Sequence, residues 1–587
     1  MTDIQSYYFT AEGEGKGVTP DTLYDTHKGY GFVTEENRKR QPALRIPEIN
    51  SGFEPASDFL TRTEIAQDEG GCFADGTQVW QKEGRQIPLC FKCDVPRQGN
   101  YRVTLTIHPK EEMNNIRIFT GRRRLMDVCG KIRAGSVYKR TFPVNVCNII
   151  PGGLNEILED RSVNLSVTAD RPCISSVKVE PCSCPVLFIA GDSTVTDQRA
   201  EYPYAPMTSY AGWGQMLPAF LNGQAAVSNH AHSGLTTETF RQEGHWSVVK
   251  NFSRPGDYVF FQFGHNDQKL ARLKAKEGYR DHLKRYVQES RSLGLFPVLV
   301  TPVARNTWTG NRESYNDLLA RWADSCICVG KEMAVPVLDL HAKSMEFLKK
   351  NGREAVKPWF YPGDYTHHND FGAFLMASFI YEEIREVCGN EERPEYRRLA
   401  RFLNRKECLP CMGQLQRPVK MPEDLKKDCP AGDRPAAEAA LSGEKEARLT
   451  RAEALDMVIK RAGFFEVEEY YGSFDDVDGS NRYANAVGSA VLNGILPDRL
   501  LEKGRLEPEK EITLEEFVIF LIHAYRSRRE LPAEAACPYD RETKEENRRL
   551  IRAAWQLGAL AADGSDGLRE KITRQRGEQI CKRLQIM

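Results

Sequence analysis

The sequence predicts a multidomain protein with an N-terminal β-sandwich, a central three-layer α/β domain and a mostly helical C-terminal domain. Three observations predict this order. A chain of 587 residues is too long for one core, since a typical domain holds ~100–200 residues. Its hydrophobic pattern changes part-way from short alternating segments to apolar strands separated by amphipathic stretches. A polar stretch without hydrophobic period then precedes a second helical pattern.

The first domain, residues 1–182, is predicted from short segments separated by Gly, Pro and Asn turns. Residues 101–107 (YRVTLTI), 116–119 and 163–167 are its clearest strands. Apolar and polar residues alternate along such segments, which is typical of sheets with one buried face. This pattern indicates a β-sandwich.

The central domain, residues 183–405, alternates apolar strands with longer amphipathic helices. The predicted strands are 186–190, 258–263, 297–300 and 335–338, and the predicted helices are 282–293, 313–332 and 369–387. Such alternation indicates a parallel sheet that is covered by helices on both faces.

Residues 406–445 are rich in Pro, Lys, Glu and Ala and have no hydrophobic period, which predicts a linker. Residues 446–587 then return to a helical pattern. We therefore expect a separate helical domain at the end of the chain.

Composition excludes several classes of partner. The 81 Lys and Arg nearly cancel the 82 Asp and Glu, so no net field would draw the protein to nucleic acid or to an anionic membrane. No apolar run approaches the ~18–20 residues of a membrane span. The first residues lack the basic start and apolar stretch of a secretory signal, which predicts a cytoplasmic protein. An extracellular or cell-surface location is the alternative if a signal was removed.

No cofactor and no metal are predicted. The 16 cysteines are irregularly spaced and include two C-x-x-C pairs, Cys90/Cys93 and Cys408/Cys411. A zinc site needs four ligands at one point, but these pairs fall in different predicted domains. The histidines of the central domain lack a short metal-binding spacing such as H-E-x-x-H.

Ser193 is the first candidate functional residue. The predicted strand 186–190 runs directly into a Gly-Asp-Ser turn that ends at this serine. In open parallel sheets, active sites collect at the carboxyl ends of strands. The position suits a nucleophile, although the turn alone is equally consistent with a helix cap.

Three further loops follow in the same domain: 229–234 (NHAHSG), 264–267 (GHND) and 364–367 (DYTH). Taken singly, each has a structural explanation: a turn glycine, a helix cap and a structural histidine. Together with the serine loop they resemble the four sequence blocks of the SGNH, or GDSL-like, hydrolases. The namesake Ser, Gly, Asn and His of that superfamily match Ser193, Gly234, Asn266 and His367. This resemblance implies a flavodoxin-like parallel sheet.

Acyl transfer explains why these residue types belong together. A serine nucleophile needs an adjacent base, and the base needs a partner that holds its tautomer. Ser193, His367 and Asp364 supply these three roles, and the i, i+3 spacing of Asp364 and His367 lets one turn present both. The predicted oxyanion donors are the backbone N–H groups of Ser193 and Gly234 and the side-chain amide of Asn266. The absence of a G-x-S-x-G elbow argues against an ordinary α/β-hydrolase.

The segments GDSTVTDQ, GWGQMLP, SGLTTETF, FQFGHNDQK, TPVAR and DYTHHNDFGA resemble the rhamnogalacturonan acetylesterase branch of carbohydrate esterases. The resemblance implies an acetylated oligosaccharide or polysaccharide of pectin as substrate. Trp213 is a candidate for stacking on a sugar, or else packs under its loop. Arg305 is a candidate for contacting a uronate, or else forms a surface ion pair.

Two other function classes stay open. One is an SGNH esterase for another acyl ester, such as acetylxylan, a sialic acid ester or a lipid. The other is a non-catalytic protein that binds glycan or cell wall, but it would have no chemical need for the intact set of loop residues. The enzyme is therefore the favoured class.

The flanking domains carry looser resemblances. Residues 18–32 (VTPDTLYDTHKGYGF) are similar to the start of a galactose-binding-like sandwich, which implies glycan binding or packing on the esterase. Residues 449–463 (LTRAEALDMVIKRAG), 504–517 and 572–584 resemble degenerate S-layer homology units. That resemblance implies a cell-wall polymer as partner, and self-association through a divergent helical module is the alternative.

Overall fold

The structure is a computed structural model and divides the chain into two compact units. It describes residues 4–10, 13–19, 22–33, 71–73, 76–78, 88–150, 156–200, 204–308, 314–405, 447–464, 467, 470, 474–478, 481–527 and 529–584. The first unit comprises Met1–Asn266, Tyr279–Ala304 and Trp322–Lys427, and the second comprises Asp267–Gly278, Arg305–Arg321 and Asp428–Met587. The predicted linker, residues 406–445, lies entirely outside the described residues, and so do its Cys408 and Cys411.

The N-terminal part of the first unit consists of β-strands. These are β1 Gln5–Tyr8, β2 Lys16–Gly17, β3 Tyr30–Phe32, β4 Gly71–Phe73, β5 Gly76–Gln78, β6 Leu89–Asp94, β7 Gly99–Ile107, β8 Met113–Thr120, β9 Arg124–Ile132, β10 Tyr138–Val146, β11 Ser162–Thr168, β12 Cys173–Ile174 and β13 Ser176–Pro181. Two five-stranded sheets have the orders β10-β7-β13-β1-β2 and β3-β6-β11-β8-β9, and β12-β5-β4 form a third, small sheet.

Alternation of side chains explains how these sheets share a core. On β7, Val103, Leu105 and Ile107 are buried while the residues between them are more exposed. They belong to one apolar cluster with Phe91 and Leu165 of the other five-stranded sheet. Successive side chains of a strand point to opposite faces, so one face of each sheet meets this common core. The strands predicted at 101–107, 116–119 and 163–167 are all present.

A parallel sheet forms the centre of the first unit. Its strands are β14 Val186–Gly191, β16 Ala226–Asn229, β17 Tyr258–Gln262, β18 Phe296–Val300 and β19 Val337–Leu338. All pairings are parallel and the order is β16-β14-β17-β18-β19. In chain order this is 2-1-3-4-5, the flavodoxin-like topology, whose crevice for ligands opens beside the carboxyl end of the first strand. A two-residue pairing of β15 Tyr210–Ala211 with β20 His368–Asn369 lies apart from this sheet.

Helices cover both faces of the parallel sheet. They are α1 Trp213–Met216, α2 Thr239–Gln242, α3 His245–Phe252, α4 Gly278–Ser292, α5 Ala320–Met333, α6 Leu340–Asn351, α7 Asp370–Glu383 and α8 Pro394–Ala400. Leu187 and Ile189 of β14 share a cluster with Phe374 of α7. Phe188, between them, shares another with Leu283 of α4. A strand that is buried on both faces has a continuous apolar sequence, and β14 (VLFIAG) has such a sequence.

One predicted helix begins later than expected. The pattern predicted a helix from residue 313, whereas α5 begins at Ala320. Before it, Tyr315 pairs with Trp308 in a β-bridge, and the Asn316 amide donates to the Thr307 carbonyl at 2.9 Å. These bonds hold the backbone extended where the amphipathic pattern alone indicated a helix.

The second unit contains six further helices among its described residues. They are α9 Arg451–Arg461, α10 Ala484–Leu492, α11 Asp498–Lys503, α12 Leu514–Arg526, α13 Glu545–Gln556 and α14 Arg574–Leu584. In each of the three similar sequence segments noted above, a β-bridge forms just before a helix. These bridges join Thr450 to Glu511, Thr513 to Lys571 and Arg448 to Thr573, and the helices that follow are α9, α12 and α14. Capping boxes at Thr450–Glu453 and Thr513–Glu516 begin two of these helices.

Nowhere in the described ranges does a helix combine the length and the apolar character that crossing a membrane requires.

His230 and His368 of the first unit are buried without charge. His230 follows β16, is 5% exposed and lies 2.9 Å from the Ser228 hydroxyl. His368 in β20 is 2% exposed. Burial lowers the pKa of each to about 3, with a smaller contribution from neighbouring positive or titratable groups. Both side chains are therefore neutral in the folded protein at neutral pH.

We expect this burial to make the protein acid-sensitive. Unfolding returns each histidine to a pKa near 6.5, so the unfolded chain binds the extra proton between about pH 6.5 and pH 3. As the pH is lowered through this range, the free energy of unfolding therefore decreases by up to ~1.4 kcal/mol per pH unit for each histidine. Melting temperatures of the wild type and His230→Gln between pH 7 and 4 test this: the variant should lose less stability per pH unit. The exposed His27→Gln is the control, and equal slopes for all three proteins would contradict the expectation.

Candidate active site

The turn after β14 places Ser193 at the carboxyl end of a central strand. Asp192 is fully buried, and its Oδ1 accepts hydrogen bonds from the Thr194 amide at 3.0 Å and from the Thr194 hydroxyl at 2.7 Å. Gly212 packs against this turn, where a Cβ would lie 2.3 Å from the backbone carbon of Val195. Only glycine allows the two segments to approach this closely. The turn is thus held from both sides.

Ser193, His367 and Asp364 form a continuous chain of hydrogen bonds. The Ser193 Oγ lies 2.8 Å from His367 Nε2, and His367 Nδ1 lies 2.8 Å from Asp364 Oδ2. The Asp364 Oδ1 accepts from the backbone amides of Thr366 at 2.6 Å and of His367 at 2.9 Å. The structure therefore brings together the three residues that the sequence pairs as nucleophile, base and orienting carboxylate.

The electrostatics of this chain keep Asp364 ionised. Burial raises the pKa of its carboxyl, but the hydrogen bond and charge of His367, together with the two backbone amides, outweigh burial and hold the pKa below its usual value. The His367 ring is 28% exposed, whereas Asp364 is 9% exposed. A buried anion thus faces one ring nitrogen while the opposite edge of the ring reaches the serine. Such an arrangement can draw the proton from Ser193 during nucleophilic attack.

A buried pair of side chains supports the turn that carries Ser193. His265 Nδ1 lies 3.2 Å from Asp192 Oδ2, and His265 Nε2 lies 2.9 Å from the Val303 carbonyl. Burial raises the pKa of the Asp192 carboxyl, but His265 and the Thr194 bonds outweigh it, so the pKa lies below its usual value. The pair joins the loop after β17 to the turn after β14. The sequence pattern marks neither Asp192 nor His265 as a site residue, although both adjoin predicted ones.

The predicted oxyanion donors occupy neighbouring loops of the first unit. Gly234 is exposed and has φ +84°, a conformation that L side chains rarely adopt. The Asn266 Nδ2 donates to the Leu235 carbonyl at 3.0 Å. This bond helps to fix the orientation of the Asn266 side chain. The bond also links the loop of Asn266 to that of Gly234.

The structure corrects the substrate-binding role predicted for Trp213. Its ring is 0% exposed, and its Nε1 donates to Gln262 Oε1 at 2.7 Å. The Gln262 amide in turn donates to the Thr194 hydroxyl at 2.8 Å. A ring without exposed surface offers no face to a sugar. Trp213 instead packs beneath the turn that carries Ser193, the alternative that the sequence left open.

Arg305 belongs to the second unit, and its side chain is 4% exposed. Its carbonyl accepts from the Tyr315 hydroxyl at 2.9 Å and from the Thr307 amide at 2.8 Å. The contact with a uronate stays a prediction for this residue.

Two tyrosines that the sequence did not single out lie beside His367. The Tyr210 and Tyr361 rings are stacked with centroids 3.7 Å apart, and Tyr210 meets the His367 ring edge-on at 5.8 Å. The Tyr361 amide donates to the His367 carbonyl at 3.0 Å. Both side chains are partly exposed. The proximity of Tyr361 to the histidine in the sequence was the only available signal, because Tyr210 reaches the site through the pairing of β15 with β20.

Within the described ranges, no cluster of three or more His, Cys, Asp or Glu side chains could hold a metal ion. Cys90 and Cys93 are both buried on β6, where burial raises the pKa of each thiol to about 12.

Comparison with known proteins places part of the sequence in a family. Residues 189–373 match the model of the GDSL-like Lipase/Acylhydrolase family. The chain is 34% identical over 214 residues to rhamnogalacturonan acetylesterase RhgT of Bacillus subtilis (strain 168). The aligned region covers 34% of this chain and 90% of that relative. This protein belongs to the GDSL-like lipase/acylhydrolase family. It is a carboxylic ester hydrolase.

One relative of this GDSL-like acylhydrolase matches a longer stretch of the chain. The uncharacterized esterase YxiM of Bacillus subtilis (strain 168) is 25% identical over 373 residues, which is 63% of this chain and 86% of that relative. The crystal structure of protein YxiM from Bacillus subtilis has 21% sequence identity and a TM-score of 0.34, and the similarity covers 65% of this chain and 98% of that chain.

Proposed function

We propose that the protein is a serine carbohydrate esterase that removes acetyl groups from plant cell-wall polysaccharide fragments, with rhamnogalacturonan oligosaccharides as the leading substrate. The hydrogen-bonded chain from Ser193 through His367 to Asp364 is the observation that carries the proposal, with both links at 2.8 Å. The substrate is supported by the 34% identity to a rhamnogalacturonan acetylesterase.

The first half of the reaction forms an acetyl-enzyme. Ser193 Oγ attacks the acetyl carbonyl carbon while His367 Nε2 takes the hydroxyl proton, and Asp364 stabilises the resulting imidazolium. Negative charge develops on the carbonyl oxygen and is met by the backbone N–H groups of Ser193 and Gly234 and by the side-chain amide of Asn266. The tetrahedral intermediate then collapses. The bond between the acetyl carbon and the sugar oxygen breaks, and His367 returns the proton to that oxygen.

The second half releases acetate. A water molecule gives a proton to His367 and attacks the acetyl carbon, and the ester bond to Ser193 breaks as that proton passes to Ser193 Oγ. No cofactor takes part in this sequence. The Tyr210–Tyr361 pair beside His367 is the proposed contact for the sugar ring, since aromatic rings offer large apolar faces.

A panel of acetylated substrates tests the substrate class. We expect kcat/KM for acetate release to be at least about tenfold higher on acetylated rhamnogalacturonan oligosaccharides than on acetylxylan, acetylated sialic acid or a short lipid ester. A difference of this size needs only ~1.4 kcal/mol of differential transition-state binding. The inactive control is Ser193→Ala in every assay. A preference for another member of the panel would contradict the proposed substrate but not the proposed esterase activity.

A further inference from the structure

A fully buried arginine from the N-terminal sheets enters the hydrolase segment. Arg123 lies in the turn between β8 and β9 and is 0% exposed. Its Nη1 lies 2.7 Å from both carboxylate oxygens of Asp370, the first residue of α7. The Tyr204 hydroxyl donates to the same carboxylate at 2.6 Å. A charge buried this deeply is tolerated only where it is paired and hydrogen-bonded.

The other nitrogens of Arg123 reach two more segments of the site. Nη2 donates to the Tyr210 carbonyl at 2.6 Å, and Nε donates to the Gln198 carbonyl at 3.2 Å. One guanidinium therefore binds α7, β15 and the chain that follows the nucleophile turn. Its planar fork is suited to holding several acceptors at fixed angles, which a lysine could not do.

Each of these segments leads directly to the catalytic chain. Asp370 stands three residues after His367. Tyr210 belongs to the strand that pairs with β20, and its ring contacts His367 at 5.8 Å. The side-chain amide of Gln198 donates to the Ser193 carbonyl at 3.1 Å. The guanidinium thus bonds directly to segments that contact Ser193 and His367.

The backbone of Arg123 is also unusual. Its φ is +61°, in the left-handed region that non-glycine residues rarely occupy. Such a conformation persists only where the surrounding structure compels it. Here the strained turn delivers the side chain to its three acceptors.

We propose that Arg123 is a positioning residue for the esterase: by joining Asp370, Tyr210 and Gln198 it sets the approach of His367 to Ser193. The proposal rests on the proposed triad and goes beyond it, because it makes the N-terminal sheets a part of the catalytic apparatus. Arg123 touches no reacting atom. Its removal should therefore act on kcat through geometry, where a displacement of about 1 Å can cost ~10²-fold.

Three variants separate positioning from simple loss of stability. Arg123→Met should lower kcat on 4-nitrophenyl acetate by about 10²-fold with KM changed less than about threefold, and Arg123→Lys should restore only part of this loss. The double variant Arg123→Met/Asp370→Asn removes the unpaired buried charge, so it should regain melting temperature but not kcat. Arg140→Met is the matched control, since Arg140 pairs with Asp127 on the same sheets at 2.9 Å and is 33% exposed.

Labelling of Ser193 by a fluorophosphonate gives a second readout that does not depend on the natural substrate. Ser193 Oγ displaces fluoride from phosphorus and its proton passes to His367, so the labelling rate reports the assembled pair. We expect this rate to fall in parallel with kcat in Arg123→Met and in the double variant. Full kcat and labelling in the double variant, or an equal loss in Arg140→Met, would overturn the positioning role. Wild-type labelling without deacetylation of any glycan would instead contradict only the proposed substrate.

Discussion

Ser193→Ala is expected to lower kcat by about 10⁴-fold or more on every ester that the protein hydrolyses, because no acetyl-enzyme can form. His367→Ala should have an effect of similar size, and the double variant should be little worse than either single one. Residues that act as one unit lose their function together. Steady-state rates of acetate release for the three variants measure this.

The control for these variants is Ser290→Ala. Ser290 is fully buried on α4 and donates to the Tyr286 carbonyl at 2.7 Å, so the substitution removes a buried hydroxyl of the same unit away from the site. Its kcat should stay within about twofold of the wild type. If Ser193→Ala kept comparable turnover while remaining folded, the nucleophile would have to be another residue.

Asp364→Asn is expected to lower kcat by roughly 10⁴-fold while the protein stays folded. If the amide oxygen keeps the bonds from the Thr366 and His367 backbone, the new NH₂ group faces His367 Nδ1. His367 must then carry its proton on Nε2, where it cannot accept one from Ser193. If the amide flips, its NH₂ group opposes two backbone N–H donors instead. Either orientation damages the site.

The same experiment with Asp339→Asn gives a matched control. Asp339 caps α6 by accepting from the Ala342 amide at 3.1 Å, and asparagine caps helices equally well. We expect its kcat to stay near that of the wild type. Equal activity of Asp364→Asn and Asp339→Asn would contradict the proposed role of Asp364 in orienting His367.

The sequence predicted the central sheet and the proximity of the site loops for a physical reason. Ser193 and Asn266 each directly follow apolar strands, and the carboxyl ends of parallel strands meet at one edge of a sheet. Asp364 and His367 are close because three residues separate them. Local pattern and strand topology were therefore sufficient to bring these side chains together.

Other parts of the site depend on contacts that no local pattern encodes. Arg123 and Asp370 are 247 residues apart, and nothing in either neighbourhood marks them as partners. Trp213 has the same sequence signature whether its ring points to solvent or to Gln262. The helix expected from residue 313 begins at Ala320 in the described part of the chain, because bonds to Trp308 and Thr307 hold Tyr315 and Asn316 outside it. In each case tertiary contacts decide between states that the sequence leaves nearly equivalent.

The chain separation of Ser193 and His367, which is 174 residues, also bears on how the protein acquires activity. Non-local contacts form only after the entropy of closing long loops has been overcome, so they are slow to appear. The hydrogen bond between Ser193 and His367 needs β14, the helices that follow it and the loop of His367 to be in place at once. We therefore expect ester hydrolysis to return later during refolding than helix content, because helices form from local contacts.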